Sequence, residues 1–202
     1  AEPANFHAYS NMIVPSNPEF FEEHVRRLSA AGIQSAFQFY NINSYETVER
    51  LIRRGVYKGP LVCNWVAIGG GMDQPTIYSL AHFLRAIPDG SVLTVESSMR
   101  NVLPINMMGM AMGLHVRCGI EDNLWNQSRT KRMSTVEQIE QLVQLDSALD
   151  RLAQADPRLV QIIELRFFSG LEVREIAELL GVSEPTIKRG TRVAKAFLEK
   201  EL

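Results

Sequence analysis

The sequence predicts an α/β segment of about five βα units over residues 1–145, followed by an all-α helix-turn-helix domain over residues 146–202. Two observations predict this organisation. In the first segment, short β-rich apolar runs recur about every 22 to 31 residues, which is the length of a βα unit. After residue 145 the strand signals stop, and helix caps alternate with apolar residues at helical spacing.

Five apolar runs are the candidate strands, and amphipathic stretches lie between them. The runs are residues 11–14, 33–40, 60–68, 91–95 and 115–120. Ser16, Asn17 and Pro18 open a helix that ends near Gly32, whereas Ser44 is the candidate cap of the next helix. Parallel strands joined by crossover helices follow from this alternation.

Composition and charge exclude several classes of protein. With 202 residues, 46% hydrophobic composition and a formal net charge of -2, the chain has the balance of a globular protein and not of a disordered one. Since neither segment is basic overall, a nucleic-acid site has to be local. Cys63 and Cys118 lie in apolar runs, so we expect reduced thiols in a cytoplasmic protein. No apolar run is long enough for a membrane span.

Polar side chains follow the predicted strands where a parallel sheet faces its ligands. Asn64 and a triple glycine follow the third run, Glu96 follows the fourth, and Glu121 and Asp122 follow the fifth. Two adjacent carboxylates, with Arg117 shortly before them, can divide metal binding and proton transfer. The alternatives are a helix N-cap for the carboxylates and a tight turn for the glycines.

Three stretches, PEFFEEHVRRLSAAGI, NWVAIGGG and HVRCGIEDNLW, carry a family resemblance. Through them residues 9–144 resemble the C-terminal part of the β-keto acid cleavage enzymes. Those enzymes are TIM barrels that use a divalent metal, usually zinc, to condense a β-keto acid with acetyl-CoA. The resemblance implies a partial TIM barrel in which Glu121 is the metal ligand, Asp122 the catalytic acid/base and Arg117 the cation that orients the substrate.

The segment departs from that family at the metal site and in its length. It contains no His-x-His pair, which supplies two metal ligands in the family, and residues 35–39 contain no carboxylate. Because a catalytic zinc needs about three protein ligands, we expect the cleavage activity to be lost. Five strands cannot close an eight-stranded barrel, which leaves three outcomes: an open sheet, self-association through the open sheet edges, or poor order.

The second segment is punctuated as a series of helices. Asp156 and Pro157 open one helix, residues 172–180 form the next, Gly181 supplies a bend, and Ser183 caps the last. Upstream, residues 135–155 keep helical spacing throughout and predict one continuous helix across the junction. From these patterns we expect a compact helical unit that folds regardless of the segment before it.

The last helix carries a cationic face, which consists of Lys188, Arg189, Arg192 and Lys195. A helix with such a face fits the major groove of DNA, and its first turn approaches the base edges. Thr186, Lys188 and Arg189 are therefore placed for base contacts, whereas Arg192 and Lys195 are placed for phosphates. The alternative is a solvated basic face on an ordinary helical hairpin.

The stretches LDRLAQADPRLVQIIELRFFSGL and EIAELLGVSEPTIKR carry a second resemblance. Residues 146–202 resemble region 4 of sigma-70-type sigma factors, particularly the extracytoplasmic-function class. The resemblance implies binding of duplex promoter DNA, with Ser183 in the interface, and of the RNA polymerase core. Gly190 departs from the family pattern, and a glycine inside a helix costs about 0.5–1 kcal/mol relative to alanine, so we expect weak recognition.

Two function hypotheses follow. The first is a DNA-binding helix-turn-helix fused to an incomplete and inactive enzyme segment, and the alternative is a metal-dependent β-keto acid cleavage enzyme.

Overall fold

The computed structural model of the chain describes residues 8–9, 12–13, 17–126 and 128–201, of which residues 8–9, 12–13 and Arg100 are described by their backbone alone. The chain divides into two compact units, Ala1–Glu96 and Ser97–Leu202. This division falls well before residue 145, where the sequence predicts the boundary between two kinds of segment. The predicted domains, 1–145 and 146–202, stay a prediction.

The first unit alternates helices with strands. In chain order its elements are β1 (Ala8–Tyr9), β2 (Met12–Ile13), α1 (Pro18–Ala30), β3 (Ala36–Phe39), α2 (Tyr45–Arg53), β4 (Val62–Ala67), α3 (Ile77–Ala86) and β5 (Val92–Ser97), the last of which reaches the division between the units. β1 and β2 form a two-stranded antiparallel pair. The first predicted strand, residues 11–14, is therefore wrong as a member of the main sheet. That sheet has four strands, whereas the sequence predicted about five βα units.

The main sheet has the strand order β3-β4-β5-β6, where β6 is His115–Val116. β3 and β4 are parallel, with a register that runs from Ala36 opposite Val62 to Phe39 opposite Trp65. Neighbouring strands that follow one another through a helix are the signature of βα units. The α/β class predicted for this segment is confirmed, and a closed barrel is not established by a four-stranded sheet.

Local caps set where the helices of the first unit begin. The side chain of Asn17 accepts a hydrogen bond from the Glu19 N–H at 2.8 Å and caps α1. The predicted cap Ser44 makes no capping hydrogen bond; it lies in a short 3₁₀ turn whose own cap is Asn41. An asparagine side chain can satisfy a free N–H of the first turn, which explains why Asn41 takes that role.

Aromatic and aliphatic side chains between the sheet and its helices form the core of the first unit. The rings of Phe37 and Tyr57 lie 5.0 Å apart and those of Phe39 and Phe83 lie 5.4 Å apart. Trp65 is fully buried with them. Edge-on and tilted ring pairs of this kind stabilise a core beyond the area that they bury.

The second unit is mainly helical. After β5 it contains a 3₁₀ turn (Met99–Asn101), α4 (Val102–Ala111), β6, α5 (Thr135–Ala155), α6 (Pro157–Ile163), a π-helical segment (Glu164–Phe168), α7 (Val173–Leu180) and α8 (Glu184–Glu201). α5 has the predicted bounds and begins with a capping box of Ser134 and Glu137. Within the described ranges, no helix combines the length and the apolar character that a membrane crossing requires.

The core of the second unit joins α4 to the helices that follow residue 145. Met107 on α4 is buried together with Leu142 and Leu149 on α5, Ile163 on α6 and Ala194 on α8. Part of the core around the helices that follow residue 145 thus comes from before that residue, and independent folding of the later segment stays a prediction. α4 itself had no sequence signal, since it is apolar on nearly every side and Asn101 makes no capping hydrogen bond.

Candidate functional sites

Residues 181–183 form a short turn between α7 and α8. Gly181 ends α7 with φ +64°, in the left-handed region that glycine enters without steric cost. The Val182 N–H then donates to the Ala177 carbonyl at 3.0 Å. Ser183 Oγ accepts from the Thr186 N–H at 3.4 Å and lies 2.9 Å from the Thr186 hydroxyl, so the Ser183 side chain is tied to the first turn of α8.

The cationic face of α8 points to solvent. Ile187, Gly190 and Ala194 are buried on one side of the helix. Lys188, Arg189, Arg192 and Lys195 are all exposed. The structure thus brings the four predicted cations onto the accessible side of one helix, and their contacts with DNA stay a prediction.

Two of the four cations have local contacts. Lys188 Nζ lies 3.5 Å from Glu184 Oε2, and an exposed pair of this kind is worth only about 0.3–0.5 kcal/mol. Lys195 Nζ lies 4.7 Å above the ring of Phe167, which belongs to the π-helical segment. Among the described side chains, no acid pairs with Arg189 or Arg192. Their guanidinium groups are free to meet an anion.

Gly190 is a packing residue that sequence reasoning misjudged. A Cβ built on Gly190 would lie 2.6 Å from Ile162 Cδ1 and 3.4 Å from Leu159 Cδ2. α6 and α8 can approach this closely only because residue 190 has no side chain. Its position between Ile187 and Ala194 on the apolar side of the helix was the available signal for this role.

A groove of about 380 Å³ lies beside the cationic face. Its apolar lining includes Ile162 and Val193, and its polar lining includes Arg158, Thr186 and Arg189. The groove places Arg158 of α6 on the same surface as two predicted DNA-contacting residues. The sequence offered no signal for this, because the approach of α6 to α8 depends on long-range packing.

The second predicted site lies in the loop after β6. Arg117 Nη2 donates a short hydrogen bond to Glu121 Oε2, and Arg117 Nε lies 3.4 Å from Asp122 Oδ2. The side chain of Asp122 is 8% exposed, whereas that of Glu121 is 83% exposed. All three predicted residues therefore come together, with the guanidinium between the two carboxylates. Burial, and secondly the charge of Asp122, raises the pKa of the nearby Cys118 thiol.

This loop does not fit a zinc ion. The carboxylate of Glu121 forms an ion pair with Arg117. In the described part of the chain, no group of three His, Cys, Asp or Glu side chains could hold a metal ion. Structural and catalytic zinc sites need three or four such ligands. The alternative N-cap interpretation is also wrong: the next helix, α5, begins only at Thr135 and is capped by Ser134.

A line of polar side chains crosses the strands of the first unit. Asn64 Nδ2 on β4 donates a short hydrogen bond to Glu96 on β5 and lies 3.5 Å from Gln38 Oε1 on β3. Gln38 Nε2 in turn donates to Tyr40 Oη at 2.6 Å. Glu96 is only 5% exposed. Sequence reasoning placed Asn64 and Glu96 after the strands, whereas they lie within β4 and β5, and it missed their partner Gln38 on β3 and Tyr40 just after it.

The triple glycine after β4 forms a turn. The Met72 N–H donates to the Gly69 carbonyl at 3.2 Å, and the Gly69 N–H donates to the Asp73 carbonyl at 2.9 Å. Gly69 and Gly70 both have positive φ. These contacts favour the tight-turn interpretation.

Two family models match the chain. Residues 2–163 match the model described as beta-keto acid cleavage enzyme. Residues 142–198 match the model described as sigma-70, region 4. The two matches overlap over residues 142–163, which include α6 and the C-terminal part of α5. Both resemblances drawn from the sequence are confirmed.

Three curated relatives are similar to this chain. The 3-keto-5-aminohexanoate cleavage enzyme of Acetoanaerobium sticklandii is 28% identical over 121 residues, which cover 59% of this chain and 44% of the relative. The enzyme of the same name from Fusobacterium nucleatum is 24% identical over 135 residues, covering 67% and 49%. The 3,5-dioxohexanoate:acetyl-CoA acetone transferase of Paraburkholderia graminis is 24% identical over 160 residues, covering 76% and 46%. The chain spans about half the length of these relatives.

Proposed function

This chain belongs to the beta-keto acid cleavage enzyme family and also carries a sigma-70 region 4 segment, and from that premise we propose that it acts as a duplex-DNA-binding protein through α7 and α8. The observation that carries the proposal is the exposed face of α8, where Arg189 and Arg192 have no acid partner among the described residues. A cation that is not neutralised within the protein can release counterions from DNA when it meets a phosphate.

Each part of the α7–α8 pair has a role in this proposal. α8 enters the major groove with its first turn towards the base edges, and α7 lies across the backbone. Arg189 contacts a guanine, a contact worth about 1–3 kcal/mol of discrimination, while Arg192 and Lys195 contact phosphates. Ser183 contacts the DNA backbone at the entry of α8, whereas Thr186 contacts the base edges. On binding, Lys188 leaves its weak ion pair with Glu184 and contacts the DNA instead.

The sigma-70 region 4 match extends the proposal to the kind of DNA and to a protein partner. The DNA is promoter DNA, and the protein partner is the RNA polymerase core. The chain would then link an enzyme-derived segment to transcription initiation.

DNA binding by the full chain, measured over a salt series, tests the proposal. Lys188→Ala/Arg189→Ala removes the two cations of the face that are placed for base contacts, so we expect weaker binding at low salt. Arg26→Ala/Arg27→Ala on α1 is the matched control, because it removes the same charge from an exposed helix of the other unit. Equal affinities of wild type and Lys188→Ala/Arg189→Ala at low salt would refute DNA binding through α8.

The same proposal holds that the enzyme-derived segment does not cleave β-keto acids with acetyl-CoA by a metal-dependent route. Its support is the state of Glu121, which is exposed and held by Arg117 instead of standing in a group of ligands. The alternative function, a zinc-dependent cleavage enzyme, needs Glu121 to bind the metal, Asp122 to move a proton and Arg117 to orient the substrate.

Zinc titration of the full chain separates these two functions. We expect no one-to-one binding in calorimetry, because a single carboxylate already paired with a guanidinium is a weak ligand. One-to-one binding that disappears in Glu121→Gln would favour the enzyme instead. Glu140→Gln, on the exposed side of α5, is the control for a lost surface charge.

A further inference from the structure

A cavity of about 600 Å³ lies in the first unit, at the end of β3 where the chain enters the sheet. Its walls come from the C-terminal part of α1, the loop that leads into β3 and the loop that follows α2. The volume lies in the range of about 300–1,000 Å³ that small-molecule pockets have. Because β3 and β4 are parallel, the cavity lies at the opposite end of these strands from the turn of Gly69, where the sequence predicts ligands.

Positive charge predominates around this cavity. Of the described residues that line it, Arg26 and Lys58 are cations and none is acidic. The guanidinium groups of Arg26 and Arg54 share one carboxylate, that of Glu22, at 2.7 and 2.5 Å. No acid among the described residues pairs with Lys58. The charge of Lys58 is therefore available to a bound anion.

The carbonyl ends of α1 and α2 reduce this positive charge without cancelling it. Each helix end contributes a partial charge equivalent to about -0.5. Arg26, Arg54 and Lys58 carry three unit charges, against a single negative charge on Glu22. A positive balance of about one unit charge is therefore left after both helix ends are counted.

A buried hydroxyl in the cavity wall lacks a hydrogen bond. Ser35 is 4% exposed, and its Oγ has no hydrogen-bond partner among the described atoms. The wall beside it is held in place, because Tyr57 Oη donates to the Pro60 carbonyl at 2.7 Å and accepts from Gln34 Nε2 at 2.6 Å. Buried polar groups are nearly always hydrogen-bonded, so a hydroxyl of this kind in a fixed pocket wall indicates a ligand atom that completes it.

We propose that this cavity binds the phosphate group of a small phosphorylated molecule. A phosphate carries about two negative charges and three acceptor oxygens, which match two cations and the hydroxyls of Ser29 and Ser35. A carboxylate offers one charge and two oxygens and satisfies fewer of these groups. Ile33 and Val56, on the apolar part of the wall, contact the organic part of the ligand. The proposal is independent of DNA binding, since its residues belong to the unit that does not carry α8.

Titration of the full chain, followed by NMR of its backbone amides, tests the proposal. The probes are inorganic phosphate, acetate and phenyl phosphate at equal ionic strength. We expect phosphate to shift the amides of residues 32–35 and 55–58 with a Kd of about 1 mM, and acetate to bind about 10-fold more weakly. Phenyl phosphate is expected to bind about 10-fold more tightly than phosphate, because its ring covers apolar wall. Equal affinities for phosphate and acetate would overturn the proposal of a phosphate site.

Two variants assign the site to individual residues. Lys58→Ala is expected to weaken phosphate binding at least about 10-fold. Ser35→Ala is expected to weaken it about 3-fold while the free chain stays as stable as wild type or becomes more stable, because Ser35 Oγ has no partner to lose. A serine that served packing alone would leave the affinity unchanged.

Arg27→Ala is the matched control, because Arg27 is next to Arg26 on α1 but is 80% exposed and lies outside the cavity wall. We expect it to leave phosphate binding unchanged. If Arg27→Ala weakens binding as much as Lys58→Ala does, phosphate acts only as a counter-ion of a basic surface, and the proposal is overturned. The absence of shifts at the cavity up to about 10 mM phosphate overturns it as well.

Discussion

At the residue scale, burial sets the chemistry of the two cysteines. Burial raises the pKa of Cys63 to about 12, and it also raises the pKa of Cys118. A thiol becomes a nucleophile or a soft metal ligand only as the thiolate, so neither cysteine is poised for that role near neutral pH. The charged side chains of the candidate sites in the second unit are instead Arg117, Asp122 and the cations of α8.

Gly190 is the residue whose substitution is most informative. Gly190→Ala gains about 1 kcal/mol of helix propensity, but it forces a methyl group against Ile162 Cδ1, and overpacking a core costs about 1–3 kcal/mol. We therefore expect a lower free energy of unfolding by up to about 2 kcal/mol, measured by chemical denaturation.

Ile162→Val supplies the control for Gly190→Ala, since valine lacks the Cδ1 atom. In that background the alanine is expected to be neutral or stabilising. If Gly190→Ala stabilised the wild-type chain, the close approach of α6 and α8 would not hold.

At the element scale, α4 and α5 together support the helices that carry the cationic face. The C-terminal part of α5 lies in the overlap of the two family matches, and its buried side packs on Met107 of α4 as well as on α6 and α8. The π-helical segment after α6 places Phe167 beneath Lys195. The orientation of α8 therefore depends on side chains that come from both matched regions.

Shortening Met107 tests this dependence. Met107→Ala removes a side chain that is 1% exposed, so we expect the free energy of unfolding of the helical unit to fall by about 2–5 kcal/mol. Hydrogen exchange of the α5 and α8 amides during denaturation reports on that unit. Met112→Ala is the matched control, because Met112 is 44% exposed. Unchanged protection of α8 in Met107→Ala would contradict a shared core.

At the scale of the whole molecule, periodic patterns carried most of what the sequence could predict. α5 and the α7–α8 turn were foreseeable because caps, a glycine bend and helical spacing are local signals. α4 was missed, since an all-round apolar helix has no periodicity to detect. The cationic face followed from spacing alone. The position of Gly190 on the apolar side of α8 was a local signal, but its close approach to α6 was not. The hydrogen bonds that join Gln38, Asn64 and Glu96 likewise depend on contacts between distant elements, which no local pattern encodes.

The 21 residues of α5 form one uninterrupted helix of about 31 Å. Because the helix is continuous, the directions in which its side chains point around the axis are fixed relative to one another. Removing one residue from its middle would turn everything downstream by about 100° about the helix axis. Leu149 and Leu152 would then face away from the side that Leu142 occupies. We therefore expect α5 to tolerate changes of length only in near-whole turns.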